Sequence, residues 1–203
     1  MTSNSAAETI AETIELQNPY TVGHARRVTN YSDVIGRYMG MNPQELENLR
    51  LSAILHDVGK IGVRDSVLLK PDGLNEEELQ EMKRHPDYGA EVLNHIKQLK
   101  DVIPGVRGHH ERYDGHGYPA GLKNVEIPIT AKIISVADAF DAMTTDRPYR
   151  KGLSVHAALD ELTWCSGTQF APEVVDAFLV VWNNGQLNCN GLLTQSRKSI
   201  TFD

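Results

Sequence analysis

Three observations predict an all-α fold. Apolar residues recur at three- and four-residue steps in several segments, helix caps stand at the edges of those segments, and no segment sustains period-two alternation. The pattern predicts about seven to nine helices. At 203 residues, 40% hydrophobic and 23% charged, the chain suits one domain whose core buries about 70% of the unfolded surface. No apolar run approaches the roughly 20 residues of a membrane helix, and Met1 to Ala7 carry no basic lead into an apolar segment. A cytoplasmic protein without a membrane segment is expected.

Residues 8–17 are helix-compatible. After Asn18-Pro19 comes the first strong amphipathic stripe, Val28, Tyr31, Val34/Ile35 and Tyr38, with His24 four residues before Val28 on the same face. An imidazole there suits either a core role or a metal. Asn42-Pro43 sets the N-cap and first position of the next helix, whose apolar face is Leu46, Leu49 and Ala53. That face continues into His56 and Asp57, with Gly59 as terminator. A buried carboxylate at that point is costly unless it meets a cation.

Pro71-Asp72-Gly73 forms a turn, and Asn75 with Glu78 has the spacing of a capping box. Pro86 closes that short helix, which makes His85 a cap of the following helix, 86 to about 97, or a ligand. Pro128 opens a helix to about 144 with core face Ile133, Val136/Ala137 and Phe140. Asp138 and Asp141 lie one turn apart on it, and sequence alone does not choose between them. The cluster Arg147-Pro148-Tyr149-Arg150-Lys151 follows, read locally as a solvated basic face. Ser154 caps a helix carrying Ala158, Leu159 and Leu162, and Pro172 opens the last helix, ending near Asn184-Gly185. The domain is expected over 1–185, with 186–203 a polar tail.

The chemistry concentrates at 109–119, His109-His110-Glu111-Arg112-Tyr113-Asp114-Gly115-His116-Gly117-Tyr118-Pro119. Adjacent imidazoles before a glycine- and proline-shaped loop suit a metal site, or a polar helix end running into a surface turn. Collecting the inward candidates gives His24, His56, Asp57, His85, His109, His110 and Asp138. That set exceeds the four ligands of a structural zinc and, rich in nitrogen and oxygen, suits Fe or Mn. With one bridging carboxylate it is enough for two metals, which together activate water and clamp a phosphoryl group. Cys165 and Cys189 form no CxxC and suggest neither a disulfide framework nor a nucleophile. The net charge of -7 argues against a nucleic-acid polymer as partner, so any phosphorylated substrate is expected to be small.

Together, His24, His56-Asp57 and Asp138 resemble the HD superfamily of metal-dependent phosphohydrolases. The HHExxDGxGYP stretch, HDxGK (His56 to Lys60) and VADxxDAxTxxRPYR (Val136 to Arg150) are similar to its HD-GYP subfamily, with the match running from about Glu15 to Phe178. The resemblance implies an all-α HD domain that hydrolyses cyclic di-GMP, through pGpG towards GMP, with two divalent ions. By position, His24, His56, Asp57 and Asp138 would hold one ion, and Asp57 would bridge to a second held by His85, His109 and His110. Lys60 matches a lysine beside the leaving group, Tyr118 lies on the guanine side, and Arg147 and Arg150 match phosphate contacts. Tyr20 stands where three-metal members place a glutamate, so two ions are expected. Cyclic GMP-AMP is the rival substrate, and a non-catalytic signalling module the rival from another class. A homodimer, and signalling partners at the GYP loop, are further expectations. His95, His116 and His156 match no ligand position.

Overall fold

The computed structural model describes residues 3–17, 22–146 and 151–188. Tyr20, Arg147 and Arg150 therefore lie outside the described residues. Within them the chain forms α1 (Ser3–Gln17), α2 (His24–Tyr38), α3 (Pro43–Leu55), α4 (Asp65–Leu68), α5 (Glu76–Met82), α6 (His85–Asn94), α7 (Ile103–Gly108), α8 (Ile129–Thr144), α9 (Val155–Trp164) and α10 (Pro172–Asn183). Nine of these exceed one turn, in line with the all-α expectation, and α4 is a single turn. Among the described residues there is no β-strand, and no helix is long and apolar enough to cross a membrane.

Local chemistry sets several boundaries. Asn42 and Asn75 each accept from the backbone N–H three residues on, and Glu45 and Glu78 return the bond to the cap's own N–H. Ser154 Oγ caps α9 through Ala157 N–H. The start of α2 needs help from outside, because Gly23 has no side chain. Glu15 of α1 supplies it, its two carboxylate oxygens each accepting at 2.7 Å from the N–H groups of Gly23 and Ala25.

Two apolar clusters hold the bundle. The larger joins α2, α8, α9 and α10 through Val28, Tyr31, Ile35, Ile133, Phe140, Leu162 and Phe178, all fully buried. Tyr31 meets Phe140 edge-on at 5.4 Å, and Phe140 tilts against Phe178 at 4.8 Å. Truncating Phe140 to alanine is expected to cost about 3–5 kcal/mol. The smaller cluster joins α1, α3, α6 and α7 through Ala7, Leu51, Leu55, Leu93, Val102 and Val106. Helix α3 serves both, with Leu49 and Ala53 facing one and Leu51 and Leu55 the other.

Several expected details change. Tyr38 is 52% exposed, because it points about 200° round the helix from Gly36, where α3 packs. Helix α6 stops at Asn94, and Lys97–Leu99 is a separate 3-10 turn. His85 is the first residue of α6 and Arg84 takes the cap position, since Pro86 lacks an N–H that the first turn leaves unpaired anyway. Packed chain also reaches past 185, with Leu187 only 4% exposed in the larger cluster.

Candidate metal centre

The ends of three helices build most of the site. His56 follows α3, His109 follows α7, and His85 follows α5 by three residues. The last turn of a helix leaves carbonyl oxygens without intrahelical partners. Each ring uses one: His56 Nδ1 donates to Ala53 O at 2.7 Å, His85 Nδ1 to Met82 O at 2.8 Å and His109 Nδ1 to Val106 O at 2.6 Å. A carbonyl only accepts, so the proton sits on Nδ1 and the Nε2 lone pair faces inward. His24, first residue of α2, likewise turns its Nε2 inward, giving its Nδ1–H to Asp141 Oδ2 at 2.7 Å.

The inward nitrogens converge. His24 and His56 bring their Nε2 atoms to 3.3 Å of each other, and so do His85 and His109. In the second pair both Nδ1 atoms carry the proton, and burial holds both rings neutral, so two lone pairs face each other. That arrangement is unfavourable without a cation. The spacing is that of two nitrogen ligands about 2.1 Å from one ion. His110 completes one group with His85 and His109, and Asp138 completes another with His24 and His56. Asp57 stands between them: Oδ1 is 3.4 Å from His85 Nε2, while Oδ2 is 3.4 Å from His56 Nε2 and 4.0 Å from His24 Nε2. The donor set therefore fits two cations sharing one carboxylate.

The electrostatics divide along the same line. Burial pushes His85 and His110 down to about 3 and His109 well below its ordinary value. At His24 burial works the same way, but hydrogen bonds to Asp138 and Asp141 outweigh it and raise the ring to about 10. Burial opposes ionisation of Asp57 and Asp138 too, yet Lys60 and the histidines hold Asp57, and His24, His56 and His110 hold Asp138, below the usual carboxylate range. One half favours a positive charge and the other offers neutral lone pairs.

Lys60 and Tyr118 flank the accessible side, where Asp57, Asp138 and Lys60 keep 18%, 20% and 24% of their side-chain surface open. Lys60 Nζ donates to Asp57 Oδ2 at 2.5 Å. Tyr118 stacks on His110, ring centroids 4.8 Å apart and 28° off parallel, and burial raises its phenol above the ordinary value. The loop carrying it is tied down by backbone. Tyr118 N–H donates to His110 O, and the buried Glu111 carboxylate accepts from Ala120 and Leu122 N–H at 2.7 and 2.9 Å. Gly117 lies so close that a β-carbon there would be 2.3 Å from Arg112 N.

All seven candidate ligands thus come together, with Lys60 and Tyr118 beside them. His95, His116 and His156 are exposed and outside the cluster. Sequence reasoning missed Glu15, Arg27 and Glu111 and left Asp141 undecided. The acid directly after the His109-His110 pair was the available signal for Glu111.

An all-α domain that converges five imidazoles and two carboxylates on one largely buried cluster defines a class of helical metal-site domains. The chain belongs to the HD domain family, whose model matches residues 8–174. It is 41% identical over 174 residues to the cyclic di-GMP phosphodiesterase response regulator RpfG of Xanthomonas campestris pv. campestris (strain 8004), covering 84% of this chain and 46% of that protein. To the 3'3'-cGAMP-specific phosphodiesterase 3 of Vibrio cholerae serotype O1 it is 38% identical over 146 residues, 72% of this chain and 32% of that one. The chain spans less than half the length of either relative. The crystal structure of a cyclic GMP-AMP specific phosphodiesterase of V. cholerae (V-cGAP3) superposes with a TM-score of 0.68 at 21% identity, over 88% of this chain and 47% of that one. At that identity the likeness is one of fold.

Proposed function

We propose that residues 1–185 form the catalytic domain of a metal-dependent phosphodiesterase that hydrolyses cyclic di-GMP to pGpG and/or GMP in bacterial second-messenger signalling. The observation that carries this reading is the Asp57 carboxylate, divided between two ligand groups in a member of the HD domain family. In this reading His24, His56, Asp57 and Asp138 hold one ion, and Asp57, His85, His109 and His110 hold the other. The nitrogen-and-oxygen donor set favours Fe or Mn.

Bound there, two divalent ions supply Lewis acidity and a nucleophile activated from water at neutral pH. The chain's own groups do the rest. Asp57 fixes the two halves relative to each other by giving one oxygen to each. Lys60, beside that carboxylate, holds a proton for the ribose oxygen that departs as the P–O bond breaks, a general-acid role worth typically 10²–10⁴ in rate. Tyr118, neutral and stacked on His110, is assigned to the guanine side of the substrate. Arg147 and Arg150, outside the described residues, are assigned to the phosphates, which need local cations in a chain of net charge -7. A homodimer and signalling partners at the GYP loop belong to the same reading, as does a cytoplasmic location.

A second substrate has a specific observation in its favour, the 38% identity to a 3'3'-cGAMP-specific relative. Turnover of the purified chain against a panel of cyclic dinucleotides decides the order. Faster cyclic di-GMP hydrolysis supports the first reading, and preference for the mixed dinucleotide replaces it.

A further inference from the structure

We propose that Asp141, clamped by Arg27, is a positioning residue for His24 and makes the His24–His56–Asp138 half of the centre the tighter of its two ion sites. The inference rests on the two-ion reading above.

The His24 ring is held between two carboxylates from successive turns of α8. Asp141 Oδ2 takes its Nδ1–H at 2.7 Å, and Asp138 Oδ1 lies 3.3 Å from Nε2 on the cluster side. Asp141 is itself immobilised, its side chain 2% exposed and gripped by Arg27, whose Nε meets Oδ1 at 2.6 Å and whose second guanidinium nitrogen meets Oδ2 at 3.0 Å. Arg27 stands one turn after His24 on α2. Two residues of α2 thus interlock with two of α8 and fix the ring's direction.

The other half lacks this reinforcement. His85 and His109 are oriented by neutral carbonyls, and His110 rests on the Tyr118 ring. A carboxylate acceptor makes a charge-assisted bond and a more basic imidazole. The His24 half also adds Asp138 to the shared Asp57, whereas the His85 half has Asp57 alone as its anion. Charge and orientation both favour the first half.

The test is Mn²⁺ binding to the chelator-stripped chain by calorimetry and equilibrium dialysis, with circular dichroism melts as the fold control. Wild type is expected to bind two ions in two steps. Asp141→Ala should weaken the tighter step about 10–100-fold and leave the weaker one unchanged. Asp141→Asn, which still accepts the Nδ1–H without charge, should fall in between. Should the alanine variant not fold, the asparagine variant decides alone. Two equal steps in wild type, unchanged affinities in the variants, or equal weakening of both steps overturns the proposal while leaving two-ion binding intact. A wild-type chain that takes up no Mn²⁺ overturns both readings.

Discussion

Gly59 packs so tightly against His85 that a β-carbon on Gly59 would stand 1.9 Å from the His85 carbonyl oxygen and 2.3 Å from Gly89 N. The turn Val58–Gly62 therefore rests directly on the first turns of α6, which brings Asp57 and Lys60 beside the His85 ring. Gly59 matters for close approach, and not as the helix terminator its position suggested. Because backbone cannot retreat as a flexible side chain does, Gly59→Ala is expected to cost at least about 1–3 kcal/mol and to lower metal content. Thermal melts and metal analysis check it, and a variant with wild-type stability and metal would remove the constraint.

Asp57 serves both halves, so its loss should be felt by both. Asp57→Ala and Asp57→Asn are each expected to lose metal and activity together. An Asp57→Ala chain that keeps two ions and normal turnover would sink the bridging assignment.

For Lys60 the expectation is differential. Lys60→Ala should slow cyclic di-GMP hydrolysis by about 10²–10⁴ yet barely affect a diester whose leaving group is nitrophenolate, which needs no proton. Equal losses on both substrates would instead make Lys60 a partner that holds Asp57, as its 2.5 Å contact also permits.

The metal-free chain should lose stability in acid. His85 and His110 titrate near 3 in the fold against an ordinary 6.5, so between those values the unfolded chain binds more protons and stability rises with pH. Each ring contributes on the order of 1.4 kcal/mol per pH unit across that window, complete above 6.5. His24, raised to about 10, contributes fully below 6.5 and loses its share as pH climbs through 10. Melting temperatures in chelator are therefore expected to fall from pH 6.5 to 4 and, more gently, from 8 to 10. A Tm that is flat or rises on acidification below 6.5 contradicts this.

Metal uptake should carry the same signature. At neutral pH the His24 half releases a proton on binding, whereas the neutral His85, His109 and His110 have none to give. Calorimetry in buffers of different ionisation enthalpy is expected to show about one proton released at one step and close to none at the other. Equal release at both steps would contradict the charge division.

Where structure follows from neighbours in the chain, the sequence was readable. The caps at Asn42, Asn75 and Ser154 act over three residues, and the stripe through Val28 and Tyr31 repeats on a helical period. The seven candidate ligands were readable as motifs, most of them at or beside helix ends and Asp138 inside α8. What escaped were contacts between distant segments. Glu15 caps α2 across 8 and 10 residues, and Glu111 ties its loop across 9 and 11. Asp138 and Asp141 share a helix face and differ only in which side of the His24 ring they meet, a matter of how α2 and α8 pack.

The most direct test of the account pairs metal analysis of the purified chain with a cyclic di-GMP hydrolysis assay, run on wild type and Asp57→Ala. The account expects two ions per wild-type chain and hydrolysis that chelation abolishes and Mn or Fe restores, with neither ions nor turnover in the variant. A wild-type chain that hydrolyses cyclic di-GMP with no metal, or binds two ions and turns over no cyclic dinucleotide, would contradict it.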